Sequence, residues 1–247
     1  MTTTDHPDAG RTGFSRRSVL RAGAAAAALA AIPEITAGSA SASPLLAATS
    51  GDAQPWSPAG RSVSANGWPI GSSVRRSVVG IEGSDATVEL LGRADVSAVL
   101  LHVARRFHYE VAALPPGGIA GFRPPAKFAS QHQSNHCSGT AIEVLPGHYP
   151  LGVQGGLYPW QVTVIRDIVA ECRGVVRWGG DYPRTADEGH FQIDVAPGDR
   201  RLADLAAVFT GYVDQPGYGP GTGEELPFTA SSLRRAAAFQ RQQGVVS

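Results

Sequence analysis

The chain predicts an α+β domain, because two hydrophobic periods are interleaved along it. Apolar residues recur at helical spacing in several stretches, while others alternate apolar and polar residue by residue, as half-buried strands do. No repeat of 20–50 residues is present, so a solenoid or propeller is excluded. A chain of 247 residues, 43% of them hydrophobic, is long enough to bury one proper core.

Taken in order, Asp95 is expected to cap a helix whose apolar residues are Val96, Val99, Leu100, Val103 and Phe107. A loop through Pro115-Pro116-Gly117-Gly118 then leads to a short strand, Gly121-Phe122-Arg123, ended by Pro124. From Thr140 to Val144 the side chains alternate, so Ile142 enters the core while Glu143 faces the other way, with small Ala141 leaving room beside it. A second helix is expected from about Trp160 to Cys172, with Val164, Ile165, Ile168, Val169 and Cys172 on one stripe. Val175-Val176-Arg177-Trp178 reads as a strand stopped by Gly179-Gly180, and His190, Gln192 and Asp194 form the polar side of the next. Leu202, Leu205, Ala206 and Phe209 mark a third helix. After Val213 the stretch Asp214 to Gly223 is rich in Gly and Pro, and Ser231 to Gln243 can form a terminal helix.

The first 42 residues read as an address. Ser15-Arg16-Arg17-Ser18-Val19-Leu20-Arg21 has the form of a twin-arginine export signature, followed by an alanine-rich run from Ala22 to Ile32 and a small-residue cleavage site at Ala40-Ser41-Ala42. That run is far shorter than the about 20 residues of a spanning helix. No lipoprotein cysteine stands at the cleavage region. The expected product is therefore exported, without a membrane anchor, and extracellular or associated with the cell wall. Residues 43–65 are rich in Pro, Gly, Ser and Ala and read as a linker, which leaves 66–213 as the domain and 214–247 as a tail.

The whole chain has 21 basic and 21 acidic residues; losing four and three of them with residues 1–42 leaves 17 against 18. No concentrated basic surface is implied, so nucleic acid is not expected as a partner. Cys137 and Cys172 are the only cysteines and allow at most one disulfide within the chain, which excludes a disulfide-built scaffold.

The chemistry concentrates in Ser134-Asn135-His136-Cys137-Ser138-Gly139-Thr140-Ala141-Ile142-Glu143, in Trp178-Gly179-Gly180, and in Asp187-Glu188-Gly189-His190. His136, Glu143 and His190 supply two imidazoles and a carboxylate, which leave one tetrahedral position of zinc open as catalytic sites require. Asp187, three residues before His190, adds a carboxylate for proton transfer. The His132 to His136 spacing imitates His-Glu-x-x-His, but Gln133 stands where that motif needs its glutamate, and an amide cannot accept the proton. His102, His108 and His148 read as structural or surface residues, Cys137 as a small buried side chain, and Glu188 as pointing to solvent.

These segments resemble the zinc peptidase family of D-alanyl-D-alanine carboxypeptidases and L-alanyl-D-glutamate endopeptidases. Its pattern is Ser-x-His-x-x-Gly-x-Ala-x-Asp, a Trp-Gly-Gly turn, and Asp or Glu-x-x-His. The resemblance runs from about Asn66 to Val213 and departs at Glu143, where the family has Asp. It implies a small antiparallel sheet with packed helices carrying a zinc cleft, of the D,D-peptidase and Hedgehog-like kind. It also implies one zinc per chain on His136, Glu143 and His190, with Asp187 as catalytic base. Arg123 would be the substrate-binding arginine, at the carboxylate or the developing oxyanion, and Ser134 would bond the substrate or orient its loop. The implied substrates are peptidoglycan stem peptides, cleaved by a D,D-carboxypeptidase or an L-alanyl-D-glutamate endopeptidase. A non-catalytic cell-wall binding protein is the reading from another class, because one extra methylene at Glu143 displaces its oxygens by about 1.5 Å if nothing relaxes. On that reasoning Glu143 is a strained substitute, and Glu143→Asp should preserve or raise zinc affinity.

Overall fold

A computed structural model describes residues 54–213 and 227–245. The export segment, the first half of the linker and the stretch from Asp214 to Gly223 lie outside the described residues. The elements run β1 (Arg76–Gly80), β2 (Thr87–Leu91), α1 (Ala94–Glu110), β3 (Ile119–Ala120), a 3-10 turn (Gln131–His136), β4 (Ala141–Val144), α2 (Pro159–Glu171), β5 (Val176–Trp178), a short 3-10 turn (Gly179–Asp181), β6 (His190–Ile193), α3 (Arg200–Val213) and α4 (Ala230–Gln242). β1 and β2 form an antiparallel hairpin, and the other strands form a four-stranded antiparallel sheet in the order β3-β4-β6-β5. This is the α+β architecture that the two periods predict.

The sheet has two chemically different faces. Register pairs Ile142 with Phe191, and Phe191 with Trp178, on one face; it pairs Glu143 with His190, and Arg177 with Gln192, on the other. Against the apolar face lies α1, whose Val96, Val99, Leu100, Val103 and Phe107 are fully buried, with Phe107 edge-on to Phe191 at 6.3 Å. Burying each such side chain contributes about 1.5–3 kcal/mol. The apolar face thus anchors the sheet to α1, and α1 in turn packs on α2 and α3, while α4 packs on α2.

Several local expectations change. Asp95 is not the helix cap: Arg93 holds that position, α1 begins two residues earlier than expected, and Asp95 sits in its first turn, accepting from the Val96 amide at 2.9 Å and from Arg93. The strand expected at Gly121–Arg123 is the two-residue β3 instead, because the amides of Phe122 and Arg123 leave the sheet to bond Glu89 and His136 carbonyls. Residues 54–65, expected as linker, include Trp56, which is buried and exchanges both backbone hydrogen bonds with Phe128. α2 has Pro159 at its first position, and Gln161 returns its side-chain oxygen to the Tyr158 amide at 2.9 Å. No disulfide joins Cys137 to Cys172; both are buried. Among the described residues no helix is long and apolar enough to cross a membrane.

Candidate metal centre

Three elements bring the predicted ligands together. The 3-10 turn ends at His136, β4 presents Glu143, and β6 begins at His190, directly opposite Glu143 in the register. Glu143 Oε2 lies 3.7 Å from His136 Nε2 and 3.8 Å from His190 Nδ1, and one ligand atom from each residue falls within 4.8 Å of the others. Both imidazoles are fully buried and Glu143 nearly so.

Hydrogen bonds set which nitrogen of each ring is available. His136 Nδ1 lies 2.6 Å from the Gly121 carbonyl, which can only accept, so Nδ1 carries the proton and Nε2 keeps its lone pair. His190 Nε2 lies 3.0 Å from Gln192 Oε1, which also accepts from Asn135 at 2.7 Å; Nε2 therefore donates and Nδ1 is left as the lone-pair atom. His136 Nε2 and His190 Nδ1 are buried with no hydrogen-bond partner. Two orphaned lone pairs aimed at one carboxylate, each ring held from behind by an acceptor, are what a cation requires. Zinc bonds of about 2.0–2.1 Å at tetrahedral angles place donors about 3.3 Å apart, so the two carboxylate–imidazole distances of 3.7 and 3.8 Å need only a small inward adjustment, and the imidazole pair, within 4.8 Å, has to close further. The donor set fits the metal that the resemblance implies.

Electrostatics act differently on the three groups, and only the shift at His136 favours a free lone pair by itself. Burial lowers the His136 pKa to about 4, with Glu143 opposing, so its lone pair is free near neutral pH. Burial works against ionising Glu143, but the two imidazoles facing it hold its carboxyl well below the usual range. Burial likewise opposes a charged His190, yet Glu143 and Asp187 pull it up.

The glycines around the group make the space. A Cβ on Gly189 would lie 2.5 Å from Glu143 Oε1 and 2.8 Å from the Val144 carbonyl. The longer carboxylate therefore occupies room that only a glycine leaves. A Cβ on Gly179 would meet the Asp187 carbonyl at 2.5 Å and the β-carbons of Asp187 and His190 at 3.0 Å, so the turn after Trp178 is pressed between those two residues.

Asp187 is buried, and its amide donates to the Gly179 carbonyl at 2.9 Å. Its Oδ2 accepts from His132 Nε2 at 3.0 Å, and His132 Nδ1 takes the Ser130 hydroxyl at 2.7 Å. Burial lowers the pKa of His132, with the Asp187 hydrogen bond opposing. The Tyr182 ring packs 4.5 Å from that of His132. His132, read from sequence only as half of a broken zincin motif, is thus the partner of Asp187. Arg123 places a guanidinium nitrogen 3.9 Å from Glu143 Oε2 and is one-third exposed, so it borders the group from the solvent side. Ser134 is fully buried: its hydroxyl donates to the Gln131 carbonyl at 2.6 Å and accepts from the Ala65 amide at 2.8 Å, the bonding of a residue that orients its loop. Glu188, expected in solvent, is buried instead. Its two oxygens accept from the Gly155 and Gly156 amides, each at 2.8 Å, and pin that loop beside the site.

The fold and the His-Glu-His group define a candidate mononuclear metal centre built on a small antiparallel sheet. Residues 128–193 match the model of the D-alanyl-D-alanine carboxypeptidase family. That segment contains the three candidate ligands and Asp187 and does not include Arg123. No curated protein and no solved structure matches the chain.

Proposed function

We propose that this protein is an exported zinc-dependent peptidase that trims peptidoglycan stem peptides as a D-alanyl-D-alanine carboxypeptidase. The observation that carries the reading is the pair of buried, partnerless lone pairs on His136 and His190 facing Glu143, inside the segment matched by that family.

His136, Glu143 and His190 would hold the metal, which when bound polarises a scissile carbonyl and acidifies water. Arg123 binds the substrate's terminal carboxylate, for which its planar fork is suited. Asp187 takes the proton of the attacking water and returns it to the departing amine, while His132 and Ser130 hold the carboxylate in place. The export signature accounts for access to the cell wall.

Incubating zinc-loaded protein with defined muropeptides and weighing the products tests this. Loss of one terminal D-alanine is the expected result. Cleavage between L-alanine and D-glutamate would make it an endopeptidase, and zinc uptake with intact peptides would make it a wall-binding protein.

A further inference from the structure

The polar face of the sheet extends beyond the metal group. Arg177 on β5 stands opposite Gln192, and Gln192 stands two residues from His190. Arg177 and His190 are therefore diagonal neighbours on one face, roughly 7–8 Å apart. Beside Arg177 opens a cavity of about 230 Å³, lined also by Arg166, Asp181, Tyr182, Gly180 and Gly244. The Tyr182 ring links the two regions, with its centroid 4.5 Å from the His132 ring and 5.9 Å from the Arg177 guanidinium carbon.

The two arginines of the cavity differ. Arg166 is committed, donating to Asp181 at 3.0 Å and to the Gln240 amide oxygen. The Arg177 side chain is only 9% exposed, yet it makes no hydrogen bond to any described residue; its nearest carboxylate, Asp194, is 4.0 Å away. Asp194 faces Arg177 from beyond hydrogen-bond distance, so it opposes the charge without taking up the donors. A guanidinium carries five donors, and those of Arg177 are left to the cavity rather than to protein acceptors. Small-molecule sites pair concave space with such convergent polar groups.

We propose that this cavity is a second anion subsite, in which Arg177 receives a carboxylate of the bound peptide remote from the bond being cut. Its ligand rests on the peptidase reading, and its class is an acidic peptide with a free carboxylate a residue or more from the metal. A carboxylate there takes up the guanidinium donors bidentately, which Asp194 at 4.0 Å does not.

Binding to the zinc-free protein tests the subsite without requiring turnover. A stem peptide is compared with versions in which each carboxylate is amidated in turn. For one of them affinity should fall about tenfold, the scale of one charge-assisted hydrogen bond. That penalty should vanish in Arg177→Gln and survive in Arg123→Gln. Should Arg177→Gln fail to fold, Arg177→Lys keeps the charge without the fork and should halve the discrimination or better. The Arg177 Nε–Hε resonance of the unaltered protein, shifting on titration with the free peptide, gives the same answer. Equal binding of every amidated peptide, a penalty that persists in Arg177→Gln, or inorganic phosphate binding as tightly as the peptide would overturn the proposal. If the peptides bind through Arg177 but are never hydrolysed when zinc is loaded, the subsite stands and the peptidase reading fails.

Discussion

The acceptors behind His136 and His190 decide which ring nitrogens face Glu143, and only one of them left a mark in the sequence. Gln192 is legible as the residue two after His190 on an alternating strand; the Gly121 carbonyl is backbone and has no side-chain signature. The same holds for Asp187. Its placement before His190 was readable, whereas its bond to His132 joins residues 55 apart in sequence, and no periodicity encodes that. Replacing Asp187 by Asn keeps the size and an acceptor for His132 but loses basicity, so kcat should fall about 10²–10⁴-fold with zinc content unchanged. Turnover close to that of the unaltered protein would put the base elsewhere. For Glu143 the geometry shifts the expectation drawn from sequence. Gly189 leaves room for the longer side chain, and Oε2 already stands almost equidistant from both imidazoles. Glu143→Asp withdraws the carboxylate by about 1.5 Å and should weaken zinc binding by about tenfold or more in a competition titration. Unchanged or tighter binding would restore the view of Glu143 as a strained substitute.

At the scale of elements, long amphipathic helices were legible and the parts that complete the site were not. β1 is largely exposed, with Val78 at 67%, and β2 ends in adjacent leucines, so neither shows a clean period of two. The turn Gln131–His136 is a polar run buried by its own hydrogen bonds, which hydrophobic spacing cannot detect. Polar burial also joins the helices. Arg106 of α1 is fully buried and bonds Glu110 at 2.7 Å, Glu171 at 3.0 Å and Asp167 at 3.1 Å, while Arg235 of α4 reaches Asp167 at 2.8 Å. Arg106→Ala would leave three carboxylates facing one another and should cost about 3–5 kcal/mol in chemical denaturation. A loss under 1 kcal/mol would show that the network is incidental to stability. His102, stacked on Phe209 at 3.6 Å and bonded to Glu171 at 2.8 Å, adds a pH term. Burial, opposed by Glu171, lowers its pKa in the folded state. The unfolded chain thus binds this proton more readily, so the contribution is full above about pH 6.5 and declines as pH falls below it. The stability difference between the unaltered protein and His102→Gln should therefore shrink as pH drops through that window; a flat difference would contradict a depressed His102.

Across the whole molecule, the metal group depends on the fold far more than the helices do. Its donors come from the end of a 3-10 turn, the third residue of β4 and the first residue of β6, and only the β4–β6 register sets Glu143 beside His190. In the unfolded chain these donors are scattered, so zinc held by this group would bind essentially the native state and stabilise it by mass action. At a free zinc concentration about 100 times Kd this amounts to about 2.7 kcal/mol. In a domain of this size 1 kcal/mol moves Tm by about 2–4 °C, so loading should raise Tm by roughly 5–10 °C. Chelation should return it to the metal-free value. Glu143→Ala removes a charged ligand from a buried site and relieves the burial of that charge. Its metal-free Tm should therefore stay near or above that of the unaltered protein while most of the zinc-dependent rise disappears. Scanning calorimetry of both proteins with zinc and with chelator separates these terms. Identical Tm values under the two conditions in the unaltered protein would mean that the buried His-Glu-His group does not take up the metal.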